Sequence, residues 1–400
     1  MHVANADVVA RARVMLFDVD RVSEERLVGI YRVLGEVDAP EHYARRLAEA
    51  LHTTGYIFGR HGADAALTLG RLEEAIELSR GLDSAEHRDR DALLKGILAT
   101  YQWALYRYGR RADGLATRRE ILALTRAGTG DRWALAAAIL EVAVGLAEDG
   151  HDDDAEALFA EAAAGTVGLA RGYRPVADRH WYLTAHAAHL AARGRHTEAA
   201  DAYRPLLDTT HEDRQVPILL YGARLLAAAK LPAESRDVQE RAVETYRRQA
   251  VRQPTRVLRH DHLAFHLALA GARDEPPGTA HGTTPDHWSP EHRDRYDDAV
   301  PAIRAALDDP ATTPAERVVL ARRLTVRATF AELPREAVTD RLLPAYAEAV
   351  TNTRALAAHD PVGAAPLLAR ALTDHALLLA SIGRARDGIT DMEEAAALHG

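Results

Sequence analysis

No cysteine occurs in the 400 residues, which removes disulfides, thiolate nucleophiles and Cys-ligated zinc. Asparagine is nearly absent, with only Asn5 and Asn352, so turns fall to Gly, Asp and Pro. There is no basic surplus either. The net charge is −9, whereas a nucleic-acid binder neutralises phosphates with clustered Lys and Arg. No uncharged apolar run approaches the roughly 20 residues of a membrane-spanning helix. The opening MHVANADVVARARVMLFDVD is broken by Asp7, Arg11, Arg13 and Asp18, unlike a secretory leader. These absences predict a soluble, cytoplasmic chain with neither a nucleic acid nor a membrane as its partner.

Catalytic signatures are missing as well. There is no phosphate-binding GxxxxGK[ST] and no GxGxxG followed by an acid, and none of Ser23, Ser79, Ser84, Ser235, Ser289 and Ser381 sits in a GxSxG elbow. Aromatics are only 6% of the chain, too few to line the carbocation pocket of an all-helical cyclase. The acidic run Asp152, Asp153, Asp154 is placed to open a helix, where carboxylates meet the positive end of the macrodipole. No catalytic residue, cofactor or resident metal is expected.

What is present is a recurring phrase: a helix rich in Ala and Leu, a Gly-Arg or Gly-His turn, then a second helix. It appears as AALTLGRLEEAIEL, WALYRYGRRADGLA, GLAEDGHDDDAEALFAEAA, HLAARGRHTEAADAYRPLL and ALLLASIGRARDGITDMEEAAAL. Ala and Leu are strong helix formers, and Ala lets backbones approach. Hairpins of this kind cannot bury an apolar face alone and must stack. Taking Gly70, Gly109, Gly150, Gly194, Lys230, Gly271, Glu332 and Gly383 as equivalent turns, the first six are spaced 36 to 44 residues apart. Five residues past the turn a small residue recurs (Ala75, Gly114, Ala155, Ala199, Ala337, Gly388), and nine past it a larger one (Phe159, Tyr203, Met392). Four before it stands an apolar residue: Ala66, Leu105, Leu146, Leu190, Leu226, Leu267 or Leu379. Glycine can close the first helix in the left-handed conformation. The small residue lets the hairpin's helices touch, and the larger one fills the gap to the next hairpin.

On these positions the chain resembles the tetratricopeptide-repeat family, most clearly at Gly150 with Ala155, Phe159 and Ala162, then at Gly194 with Ala199 and Tyr203. Residues 246–275 and the C-terminal segment are similar to arrays common in high-GC actinobacteria. The units exceed the family's usual length of about 34 residues, and Lys230 and Glu332 replace the turn glycine. The resemblance implies an all-α, right-handed superhelical solenoid of about eight antiparallel helix pairs over residues 55–271 and 291–400. Residues 1–54, with helix stops near Asp20 and Ala39-Pro40, read as a helical N-terminal cap, although VSEERLVGIYRVLG also admits a helix-turn-helix. Residues 272–290, with Pro276, Pro277, Pro285 and Pro290, read as an irregular insertion.

The resemblance also implies a function: a non-catalytic scaffold holding a protein or peptide segment in a concave groove lined by the first helix of each pair. The groove residues it implies are Trp103, Tyr106, Arg107, Glu148, Trp181, Thr184, Arg224, Asp261 and Phe265. A second reading is a regulatory sensor that takes a short peptide or small-molecule ligand there. A third, a metal-dependent enzyme, would draw on the His-rich stretch 260–292, where His262 and His266 share one helix face. His186 and His189 form a similar pair, although His186 stands at a repeat position that points into the core.

Overall fold

A computed structural model describes residues 6–17, 22–37, 40–83, 87, 89–128, 131–165, 177–207, 215–252, 290–330 and 342–398, excluding the side chains of 40, 41, 177–181, 215 and 290–297. Every regular element among them is helical. They are α1 (Ala6–Met15), α2 (Glu24–Val37), α3 (Pro40–Arg60), α4 (Ala65–Gly81), α5 (Arg90–Arg107), α6 (Arg111–Ala127), α7 (Arg132–Glu148), α8 (Asp152–Gly165), α9 (Ala177–Ala192), α10 (His196–Leu207), α11 (Gln215–Ala228) and α12 (Pro232–Arg252). After the segment 253–289 come α13 (Pro290–Asp308), α14 (Pro314–Phe330), α15 (Leu343–His359), α16 (Pro361–Ser381), a 3-10 turn (Ala385–Gly388) and α17 (Ile389–Ala397). Five of these helices open on proline, whose missing N–H costs nothing at the first helical position. Others are capped by side chains: Asp64 accepts from the Leu67 amide at 3.1 Å and Asp131 from Ala134 at 3.1 Å.

The all-α solenoid reading is correct, and the turns show why. Gly109, Gly150, Gly194 and Gly383 have φ between 74° and 80°, and Lys230 takes the same conformation at 62°. At each, the amide after the turn residue donates to the carbonyl four residues before it: Arg110 to Leu105, His151 to Leu146, Arg195 to Leu190, Leu231 to Leu226 and Arg384 to Leu379. This bond ends a helix with its carbonyls satisfied. Those five leucines are all buried. Phe159, Tyr203 and Met392 are no more than 2% exposed, as filler positions require. The small residue five past the turn is likewise dictated by contact. A Cβ on Gly388 would lie 3.0 Å from the Ala376 Cα, and the Ser235 hydroxyl reaches the Ala223 carbonyl at 2.7 Å. In both hairpins the residue five past the turn therefore lies on the residue seven before it.

Gly70 is the exception. It lies inside α4, and the first described turn is Gly62, with φ 71° and the Ala63 amide on the Phe58 carbonyl. Ala66, expected four before a turn, is exposed accordingly. Helix α3 runs through residue 54 without a break and is the first helix of the Gly62 hairpin, which leaves α1 and α2 ahead of it. Gly271, Glu332 and the 272–290 insertion, apart from Pro290 at the start of α13, lie outside the described residues.

The chain divides into two units: Met1–Ala138 with Ser289–Glu291, and Ile139–Trp288 with His292–Gly400. In the first, α1 to α6 each pack on the next, and α3 also touches α5. In the second, α8 to α12 follow the same order, and α12 also meets the C-terminal hairpin. The Tyr246 hydroxyl donates to the Ala376 carbonyl at 2.8 Å, Arg247 pairs with Glu393 at 2.6 Å, and Arg386 donates to the Ala250 carbonyl at 3.3 Å. One apolar core runs through this junction, from Ala163 by way of Leu219 and Tyr246 to Leu377 and Met392. Helix α16, by length and composition alone able to cross a membrane, is a core helix here. Its Leu372, Leu377 and Leu378 are buried, and its Asp374 makes a buried ion pair with Arg322 of α14 at 2.7 Å.

Two predictions concern stability in urea. Lys230→Gly should stabilise the protein by about 1 kcal/mol, because a Cβ in the left-handed region is strained, and Gly150→Ala should destabilise it by a similar amount. Asp374→Ala should cost about 3 kcal/mol by stranding a buried guanidinium, and Arg322→Met combined with Asp374→Leu should recover most of that.

Candidate binding surface

The first helices of adjacent hairpins, α3 and α5, lie side by side, and their packing sets the candidate surface. Gly59 makes their approach close: a Cβ there would sit 2.7 Å from Cζ3 of Trp103. The indole therefore rests on bare backbone, tilted at 48° to the Tyr56 ring at a centroid distance of 6.3 Å. Nearby, the His52 ring and the Thr100 hydroxyl share a 2.7 Å hydrogen bond. Arg107 lies over the Trp103 ring at 5.6 Å and Arg60 over the Tyr56 ring at 5.7 Å, both within cation–π range. Arg60 also donates to the Tyr56 hydroxyl at 3.1 Å. Tyr56 and Ile57 are 43% and 38% exposed, Arg60 and Arg107 are exposed, and Trp103 is half-buried.

Trp103 and Arg107 stand six and two residues before Gly109; Tyr56 and Arg60 stand six and two before Gly62. The two pairs are the same repeat position in adjacent hairpins. Tyr56 and Arg60 were missed because the first turn was placed at Gly70, eight residues late. The signal that finds them is the spacing from Gly62.

Two other groove candidates, Tyr106 and Thr184, are core residues. Tyr106 is fully buried. Its ring lies against Gly114, where a Cβ would come within 2.9 Å, and faces the guanidinium groups of Arg111 at 5.4 Å and Arg118 at 4.6 Å. Arg118 holds the nine-past filler position, is 3% exposed and donates to Gln102 at 3.0 Å. Thr184 is 2% exposed and hydrogen-bonds the Tyr203 phenol, whose own ionisation burial pushes far upward. Helical geometry explains both corrections. Positions ten, seven and three before the turn are spaced by three and four residues and so share one stripe. The seventh already touches the second helix, so the third and tenth are turned inward with it. Positions six and two form the adjacent stripe.

Glu148 and Arg224 occupy that adjacent stripe on α7 and α11 and are half-buried. In α7 and α9 the sixth position is Val144 or Ala188, both buried. Asp261, Phe265 and the side chain of Trp181 lie outside the described residues, as do His262 and His266. In the other histidine pair His189 belongs to the core, 5% exposed with its ring packed on Phe159 at 4.9 Å, and His186 is half-buried. Burial lowers the pKa of both His186 and His189. Among the described residues no three His, Asp or Glu side chains gather to hold a metal. Asp153, at the start of α8, pairs with Arg193 of the following hairpin at 2.8 Å.

No family model matches the chain, and comparison with curated proteins finds no relative. Among solved structures it is similar to the apo form of the quorum sensor NprR from B. thuringiensis, at 12% identity over 98% of both chains and a TM-score of 0.34. A circular tandem repeat protein with novel repeat topology aligns at 16% identity over 98% of this chain and 96% of that one, TM-score 0.22. The Naa15/Naa10 complex bound to HypK-THB aligns at 15% identity over 92% of this chain and 59% of that one, TM-score 0.24.

Because Trp103 sits where no Cβ fits, Gly59→Ala should push the indole off α3. The expected outcome is a red shift in tryptophan emission and a stability loss of about 1–3 kcal/mol; Gly62→Ala, at the turn, should leave the emission unchanged.

Proposed function

We propose that this protein is a non-catalytic scaffold whose first-helix face holds a peptide or protein segment. The observation that supports the reading is the pair of aromatic–arginine stacks, Tyr56 with Arg60 and Trp103 with Arg107, side by side on α3 and α5. Aromatic side chains and arginine are enriched at protein interfaces and dominate their energetics. Stacking holds each guanidinium in place over a ring, so little conformational freedom is lost when a partner arrives. The segment that suits this surface carries an apolar side chain for the Tyr56–Trp103 pair and carboxylates for the two guanidinium groups. Glu148 and Arg224 are the matching charged positions of the second unit and would make separate contacts there.

The test is to select peptides from a random display library against the full chain. Acidic sequences with an apolar or aromatic anchor should be enriched. Their affinity should fall about tenfold or more, some 1.4 kcal/mol, in Arg60→Glu with Arg107→Glu, while helicity and melting stay as in the parent. Binding that survives this charge reversal would remove the assignment of the surface.

A further inference from the structure

The first unit also contains a crevice of about 780 Å³ between α2, α3 and α4, within the range of small-molecule sites. It is separate from the aromatic–arginine face, and the inference drawn from it does not depend on the scaffold reading. Tyr31 and Tyr43 form one wall, their rings stacked with centroids 6.3 Å apart. Leu47 and Leu78 supply apolar lining, and Glu36 from α2 and Glu77 from α4 contribute carboxylates. Charge in the crevice lining is lopsided: Arg32 stands against Glu36, Glu74, Glu77 and Asp83, and His87 also lines it. Beside the tyrosines, Arg46 hydrogen-bonds the Tyr31 phenol, and the His42 ring meets Tyr43 edge-on at 5.1 Å. Both arginines are committed: Arg32 pairs with Glu74 through a two-point contact, and Arg46 is held by the Tyr31 phenol. Glu36 and Glu77 are exposed, and neither has an ion pair or hydrogen bond among the described residues.

Each feature selects the same ligand chemistry. Stacked tyrosine faces attract ammonium and guanidinium ions. Two uncompensated carboxylates on different helices balance two positive charges held apart. An apolar lining accommodates the methylene chain that separates them. We propose that this crevice binds a small organic polycation, with two or more ammonium or guanidinium groups on an aliphatic chain.

Titration calorimetry with spermidine on the full-length protein tests this directly. One-to-one, saturable binding should persist at about 150 mM salt, where interactions between exposed charges are largely screened. Affinity should drop about tenfold or more in Glu36→Gln with Glu77→Gln, and similarly in Tyr43→Ala, while Tyr43→Phe keeps the aromatic wall and retains binding. Asp237→Asn with Glu240→Gln removes the same charge from an exposed part of α12 and should change nothing. Equal losses in the two charge-removing variants would mean that spermidine senses only the overall negative field, and would overturn the site. So would the lack of saturable binding, or binding of an arginine-rich peptide with spermidine inert.

Discussion

The left-handed residue that ends each first helix is the constraint on which the hairpins depend. Once Gly109, Gly150, Gly194, Lys230 or Gly383 enters that conformation, the next amide must donate to the carbonyl four residues back. That bond ends the helix on a leucine carbonyl, and the same leucine's side chain is buried. The chain reversal there fixes which residue of the second helix meets which residue of the first, five past the turn on seven before it. A bulky side chain at either position would separate the helices. Close packing across successive hairpins follows from that pairing, because the residue nine past the turn then has one gap to fill.

The same register separates core from surface on the first helices. One stripe, at ten, seven and three before the turn, belongs to the hairpin interior and takes Thr184, Ala376 and Tyr106. The adjacent stripe, at six and two, takes Tyr56, Arg60, Trp103 and Arg107. A guanidinium over an aromatic ring is stable in water only as a weak contact. Two such stacks meeting at the Tyr56–Trp103 pair, seated on the bare backbone of Gly59, make an ordered patch of the residue types that partners bind. Arg118 shows the converse: an arginine at a filler position, buried beside Tyr106, contributes to packing.

Much of the fold was legible because each hairpin carries its own signal. The turns at Gly109, Gly150, Gly194 and Gly383 were evident from glycine, and Lys230 from its spacing. The first hairpin was misread because Gly70 sits in a sequence, LGRLEEA, that imitates the turn phrase. Gly62, within GRHGAD, lacks the small residue five positions on; Leu67 stands there, and α4 begins one residue later after its turn than α6, α8, α10 and α12 do after theirs. That shift hid Tyr56 and Arg60. Residue type alone does not place Tyr106 and Thr184, because their stripe and the surface stripe lie only about 90° apart around the helix.

The helices, most of the turns that join them and the stacking of hairpins are readable from residue order alone, since all three arise from contacts within some forty residues. Which elements meet beyond that range is settled by long-range packing. The seating of the C-terminal hairpin on α12, with Tyr246 reaching Ala376 across 130 residues, breaks the nearest-neighbour order that a repeat implies. Local sequence does not specify it, because the residues that meet there lie more than 100 positions apart. The crevice between α2, α3 and α4 arises in the same way. Its tyrosines and carboxylates come from three helices, and their proximity exists only once those helices have packed.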